Sequence, residues 1–366
     1  MTRRRGKPVE SRFEQAPLDG PLLDVRDLHT HFHTQRGTAR AVDGVNLSLE
    51  RGKTLGVVGE SGSGKTVLSR SIMGLLPKSN VTRTGSILFE GREIIDASTD
   101  ELRALWGSQM AMVFQDPMTS LNPVMKIGKQ ITEVLLYHLD ISKSYANELA
   151  LSLLQSVGIP EAERRLKEYP HQMSGGMRQR VMIAVAIACG PKLLFADEPT
   201  TALDVTVQAQ ILDLLQEQQR ERYMAMILVT HDLGVVAGRA DDIAVMYAGR
   251  VVEKAPTRVL FSQTRHPYTE ALLRSIPKLA DPSHHRLKAI GGRPPDIVSP
   301  PPGCKFAPRC PYVQDRCIAE EPPLVESGTP GHEFRCWFPV GTPENRDALE
   351  RNLSKGVPSA IAVGAS

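Results

Sequence analysis

Apolar and polar positions change rhythm along the chain, and the changes mark out its elements. From Pro21 the pattern is strand-like: Leu22-Leu23-Asp24-Val25, then Thr30 to Thr34, then Ala41 to Leu49. Short strands with few helices here predict an antiparallel β portion. Leu55 to Val58 is a short apolar run of buried-strand type, and Val67 to Ile72 reads as a helix. Lys192 to Asp197 and Ala225 to Thr230 are further apolar runs of the kind found in buried parallel strands. Between them Val207, Ile211, Leu214 and Leu215 fall at i, i+4, i+7 and i+8, an amphipathic helix. Strands 193–197 and 225–230 around a crossover helix form a βαβ unit, so the predicted class is α/β. Residues 116–180 differ. Ile131, Val134 and Leu135, then Ala150, Leu153, Leu154 and Val157, recur at helical spacing and predict a helical insertion in the core.

The ends of the chain follow other rules. Residues 1–20 are polar and read as a disordered tail. Past about residue 275 proline and glycine become dense, and four of the five cysteines appear. A boundary near Pro277 divides a main unit, 21–276, from a small Cys-rich C-terminal domain, 277–340, followed by a flexible tail, 341–366. Composition agrees with a soluble protein, at 41% apolar and 23% charged residues. A net charge of +3 gives no argument for a nucleic-acid partner. Arg3-Arg4-Arg5 and Lys7 read as part of a solvated tail. No run approaches the ~18 apolar residues of a membrane span. With no secretory signal at the start, the expectation is a cytoplasmic protein that reaches a membrane only by docking.

The chemistry begins at Gly59-Glu60-Ser61-Gly62-Ser63-Gly64-Lys65-Thr66, which reads G-x-x-x-x-G-K-T between a predicted strand and a predicted helix. That context makes a phosphate cradle. Glycines let successive backbone N–H groups point at phosphate oxygens, and the helix N-terminus adds its positive dipole end. Lys65 would reach the β- and γ-phosphates, and the Thr66 hydroxyl would ligate Mg²⁺. Asp197 and Glu198 end the strand at 193–197, where such nucleotidases hold Mg²⁺ and polarise the attacking water.

The region from Leu22 to Tyr268 resembles the ATP-binding subunit of an ATP-binding cassette (ABC) transporter. The resemblance rests on motifs in their order, not on the phosphate loop alone. Gln115, in Val113-Phe114-Gln115-Asp116-Pro117, matches the family's glutamine loop. Met173-Ser174-Gly175-Gly176-Met177 matches its signature, usually L-S-G-G-Q, with methionine at both flanks. Thr201-Ala202-Leu203-Asp204 matches the loop that crosses the dimer interface, and His231 the switch histidine. The resemblance implies a RecA-like α/β core with an antiparallel β portion and a helical insertion. It implies that Ser174, Gly175 and Gly176 face ATP held by a partner subunit, so that two chains sandwich two ATP molecules. It makes Glu198 the general base, places His231 at the γ-phosphate, adds Gln115 to the Mg²⁺ site, and asks for an aromatic ring to stack on the adenine. Phe32 is the candidate for that ring.

The chain end narrows the branch. Arg265 to Leu273 is similar to a stretch found in importers of peptides and nickel, and Ile290-Gly291-Gly292-Arg293-Pro294-Pro295-Asp296 and the stretch Gly303 to Pro311 are similar to the C-terminal extension of di- and oligopeptide importers. The expected partners are a second cassette subunit, more often a paralogue than a copy, two membrane permeases, and an extracytoplasmic peptide-binding protein reached through the complex. The expected location is the cytoplasmic face of the membrane. Glutathione or nickel chelates remain alternative solutes, and a soluble cassette ATPase of repair or translation is a further alternative. Cys304, Cys310, Cys317 and Cys336 form C-x5-C-x6-C-x18-C, whereas Cys189 sits in an apolar helix. A cytosolic set of four suggests a bound metal rather than disulfides. Close C-x₂₋₄-C pairs typical of zinc are absent, which leans toward a [4Fe–4S] cluster, an assignment the resemblance supports. Zinc and free thiols stay open.

Overall fold

In the computed structural model, residues 20–77, 79–201, 203–276 and 290–354 are described. The expected tail over 1–20 lies, apart from Gly20, outside these residues, as does 355–366. Twelve strands are present among them. β1 (Leu23–Thr34), β2 (Gly37–Leu49), β3 (Thr54–Val58), β4 (Val81–Phe89), β5 (Arg92–Glu93) and β6 (Met110–Val113) come first. β7 (Leu193–Asp197), β8 (Ala225–Thr230), β9 (Asp242–Tyr247), β10 (Arg250–Pro256), β11 (Val325–Glu326) and β12 (Glu333–Phe334) follow.

One antiparallel sheet has the order β2-β1-β4-β5, and a larger sheet has the order β11-β12-β10-β9-β3-β8-β7-β6. The two strand segments read at 22–25 and 30–34 are one strand, β1. It is interrupted by a register shift between Val25 and Leu28, where Asp27 takes a positive φ of 46°. An extra residue at such a bulge breaks the alternation, so the run reads as two pieces.

β3, β6, β7, β8 and β9 pair in parallel, and β3, β6, β7 and β8 are buried along their whole length. Their side chains still divide by period two. Leu194, Ala196, Met226 and Leu228 pack toward the helical insertion, and Leu193, Phe195, Ala225 and Ile227 toward the antiparallel sheet. Each fully buried Leu or Phe is worth about 1.5–3 kcal/mol. The insertion is built from helices Ile127–His138, Lys143–Ser156 and Gly175–Ile187, with Ile131, Leu135, Ala150 and Leu154 fully buried between them.

The C-terminal stretch departs from expectation in two ways. It is continuous with the main sheet, because β12 pairs with β10 through Glu253↔Phe334 and Lys254↔Glu333. Part of the expected flexible tail over 341–366 is a helix, Pro343–Ser354. Its inward face is Asn345, Ala348 and Asn352, and Asn352 Nδ2 donates to the carbonyls of Pro311 (2.8 Å) and Val313 (2.9 Å). Amides rather than an apolar stripe hold it, so hydrophobic spacing gives no sign of it. No described helix is long and apolar enough to cross a membrane.

Candidate functional site

β3 delivers the chain to the phosphate loop at the centre of the large sheet. The loop turns at once because only glycine fits two of its positions. A Cβ at Gly59 or at Gly64 would collide with the carbonyl oxygen of Met246 or of Ala41, and Gly64 has φ 104°. Helix Lys65–Ile72 then starts without a side-chain cap, so its first N–H groups remain for an anion. Lys65 is buried, and its Nζ donates to the carbonyls of Gly59 (2.8 Å) and Glu60 (3.1 Å). Burial lowers its pKa, while Glu198 and Asp197 pull it back up.

The neighbouring strands end at the same edge. Asp197 closes β7 and is buried beneath Thr66, whose Oγ1 donates to its Oδ1 at 3.0 Å. Desolvation raises the Asp197 pKa against that hydrogen bond and the Arg70 charge. Glu198 follows with a positive φ of 46°, a strained backbone for a non-glycine residue. Its carboxylate is the hub. Lys65 Nζ lies 3.7 Å away, Gln115 Nε2 donates at 3.4 Å, His231 Nδ1 is at 3.4 Å and Thr201 Oγ1 donates at 3.0 Å. Gln115 follows β6 and His231 follows β8, so three strand ends converge on one carboxylate. In open α/β sheets this carboxyl edge is where ligands bind.

A cleft of about 900 Å³ opens over these groups, lined by Glu60, Ser61, Gly62, Gly64, Lys65, Thr66, Gln115, Glu198 and His231. Gly59, Ser63 and Asp197 lie behind that lining. Phe32 does not line the cleft, contrary to expectation. Its apolar wall is made by Ala41, Val67, Leu272, Ile290, Pro294 and Ile297. The segment 290–297 reaches that place because Arg40 N donates to the Ile297 carbonyl at 3.0 Å, bonding it to β2. Local spacing carries no sign of this contact.

Ser174, Gly175, Gly176 and Asp204 do not line the cleft either. They form a second cluster. Ser174 accepts from Met177 N and caps the signature helix, and Asp204 accepts from Val207 N and caps helix Val205–Glu221. Gly176 faces Val207 and Gly175 faces Leu203, so the two helix starts meet. Beside them Val205 is an apolar side chain left 83% exposed among the described residues.

Cys304, Cys310, Cys317 and Cys336 line one small cavity with Phe306, Trp337 and Phe338, and none forms a disulfide. Burial pushes the Cys304 thiol up to about 11 and raises Cys310, Cys317 and Cys336 as well. Backbone amides partly oppose this: Phe306 and Ala307 at Cys304, Tyr312 at Cys310, and Phe338 at Cys336. Four such sulfurs ionise together only around a cation. Cys189 lies apart, against the Val134 carbonyl.

Two basic side chains from the loop between the first two cysteines reach back to the main unit, and both escaped sequence reasoning. Lys305 Nζ donates to Asp43 Oδ2 (2.9 Å), and Arg309 pairs with Glu60. Asp43 also lies within reach of His29 and His31, and among the described residues these three alone place metal-type donor atoms within 4.8 Å of one another. Lys305 and Arg250 already neutralise that carboxylate, which opposes a cation there.

A phosphate loop at the sheet centre, with its acids at the same edge on the end of β7, one strand removed, defines a nucleoside-triphosphatase of the cassette type. The ABC transporter model matches residues 42–201, and the oligopeptide/dipeptide transporter C-terminal region matches 252–317. The chain is 50% identical to the oligopeptide transport ATP-binding protein OppD of Bacillus subtilis, covering 93% of this chain and 97% of the relative. It is also 50% identical to the dipeptide transport ATP-binding protein DppD of the same organism, covering 87% and 94%. A solved dimeric ATP-binding cassette in a post-hydrolysis state, bound to ADP and Pi, matches with a TM-score of 0.58 and 26% identity, covering 64% of this chain and 99% of that one. The chain belongs to the ATP-binding proteins of the oligopeptide/dipeptide ABC transporter family.

Proposed function

We propose that this chain is the ATP-binding and hydrolysing subunit of an ABC importer that energises uptake of di- or oligopeptides. The observation that carries the reading is the separation of two anion sites on one chain. Lys65, Thr66, Gln115, Glu198 and His231 gather at the cleft, whereas Ser174, Gly175, Gly176 and Asp204 sit together elsewhere on the surface. A signature that cannot serve its own cleft serves that of a second cassette subunit, so hydrolysis belongs to the pair.

Within the cleft, Gly59 to Thr66 wrap the phosphates, and Lys65 neutralises their charge. Thr66, Gln115 and Asp197 are the residues that would hold Mg²⁺, which supplies charge neutralisation at the transferring phosphoryl group. Glu198 orients and deprotonates the attacking water, and His231 contacts the γ-phosphate. The base lies on the wall of Ala41, Ile290, Pro294 and Ile297. Closure of the pair drives two membrane permeases, which receive peptide from an extracytoplasmic binding protein. The subunit docks peripherally on the cytoplasmic face of the membrane.

Cys304, Cys310, Cys317 and Cys336 would hold a [4Fe–4S] cluster of structural or regulatory role, binding the extension together through its thiolate bonds. The C-x5-C-x6-C-x18-C spacing, without the close pairs usual for zinc, supports the cluster, and backbone amides directed at the sulfurs suit thiolate ligands of either centre.

The test is reconstitution with the two permeases, the binding protein and the partner cassette in proteoliposomes. ATP-dependent accumulation of a labelled tripeptide is expected, with no turnover by this chain alone. Full-rate hydrolysis by a strict monomer, or no retention of nucleotide in any assembly, would overturn the reading.

A further inference from the structure

The phosphate loop is gripped from outside the cassette motifs. Glu60, its second residue, is held at both ends. Its backbone N–H donates to the Tyr268 hydroxyl at 2.8 Å. Its carboxylate accepts a two-pronged pair from Arg309, with Nη1 at 2.6 Å from Oε2 and Nη2 at 2.9 Å from Oε1. Arg309 belongs to the loop between Cys304 and Cys310, and its side chain is only 2% exposed. Its other N–H groups are taken as well: Nε by the Gly291 carbonyl (2.9 Å), Nη2 by the Ile290 carbonyl (3.1 Å) and Nη1 by the Tyr247 hydroxyl (3.3 Å). A guanidinium has five N–H donors in a rigid fork, and here there are five contacts.

The surroundings fix the fork in place. Phe306, from the same loop, packs on Tyr247 and Tyr268 at ring distances of 5.3 and 5.4 Å. Lys305 ties the loop to Asp43 and to the Ala248 carbonyl. Arg309 also holds the carbonyls of Ile290 and Gly291, at the start of the segment that walls the cleft. One side chain therefore joins the Cys loop, the apolar wall and the phosphate loop.

We infer that Arg309 is a positioning residue for the nucleotide site: through Glu60 it sets the phosphate loop in its ATP-binding shape, making the C-terminal extension a working part of that site in cis. This rests on the nucleotide-site reading above. Charge-assisted, bidentate pairs are the strong ones, and a lysine in place of Arg309 keeps the charge but loses the fork. The pair shapes the loop before chemistry, so its loss weakens binding rather than the chemical step.

The experiment measures equilibrium binding of a fluorescent ATP analogue and steady-state ATPase in the assembled transporter for the parent, Arg309→Lys, Glu60→Gln and the double variant. Melting curves and metal content check that each variant is folded and loaded. Each single variant should bind ATP about tenfold more weakly, a change of about 1.4 kcal/mol. KM should rise with kcat within about twofold, and the double variant should be no worse than either single one. Glu60→Gln leaves every residue of the extension in place, and its non-additivity with Arg309→Lys tells whether the loss of affinity runs through the pair rather than through a purely structural role of Arg309. Parental affinity in Glu60→Gln, or additive losses in the double variant, would overturn the inference while leaving the functional reading intact. Failure of the parent itself to bind ATP would strike that reading first and this one with it.

Discussion

The cassette and the C-terminal extension are held together by different physics. The cassette buries whole strands and helix faces, so its order comes from repeated apolar contacts such as those around Phe195, Ile131 and Leu154. The extension has two-residue strands and short helices, and it leans on single polar contacts. These include His332 with Glu253 at 2.9 Å, both fully buried, Lys305 with Asp43, and the amides of Asn352. A packed core tolerates the loss of one contact better than a set of individual polar anchors does, because a buried partner left unpaired costs free energy outright. Chemistry is thus carried by the robust region and adjusted by the fragile one.

That contrast can be broken at either side. The largest effect should come from Glu198→Gln, which removes the proposed base and leaves the surrounding packing alone. Hydrolysis by the assembled transporter, followed as phosphate release, should fall about 10²–10⁴-fold, with ATP still bound and the melting curve unchanged. A parental rate would assign the base elsewhere. Next, Cys310→Ser should strip the proposed centre. Iron measured after anaerobic purification should drop to background and the extension should become protease-sensitive, while the cassette stays folded. A colourless parent with stoichiometric zinc would refute the cluster.

The third test uses pH. Burial pushes the His266 pKa down to about 4, against the pull of Glu253. Between pH 6.5 and 4 the unfolded chain binds a proton that the folded chain refuses, so stability falls as pH drops through that window and levels off below it. The loss should reach about 3 kcal/mol. His266→Asn, which can still accept from Tyr268 N at the helix start, should flatten the profile in denaturant melts at each pH. The smallest effect is expected from Ile297→Ala in the apolar wall. It should raise KM for ATP a few-fold, worth about 1 kcal/mol, with kcat unchanged. A wall supplied by Phe32 instead would make Phe32→Ala the damaging variant and Ile297→Ala silent.

The same contrast explains what could be read from the residues alone. Gly59 to Thr66, the run 193–197 and the helix 205–221 are local patterns, written within a few consecutive turns of chain. They need no knowledge of distant partners. Asp197 and Glu198 could be placed because they end an apolar run, whereas Gln115 and His231 came in only through the family resemblance, and their meeting at the Glu198 carboxylate is seen in the fold. By contrast, the wall from Ile290 to Ile297 depends on a hydrogen bond to Arg40, and the helix at 343–354 on amide contacts to Pro311 and Val313. The role of Arg309 depends on a partner in the phosphate loop. None of these has a period or a spacing, because each is decided by one contact between segments far apart in the chain.

The pairing of β12 with β10 has a consequence for how the protein is made. During synthesis β10 leaves the ribosome long before Glu333 and Phe334 exist, so the growing polypeptide carries a bare strand margin through that interval. Such a margin invites pairing with another molecule. A message truncated ahead of residue 333 would fix that transient hazard in place, yielding a product with every hydrolytic motif intact and a built-in tendency to aggregate.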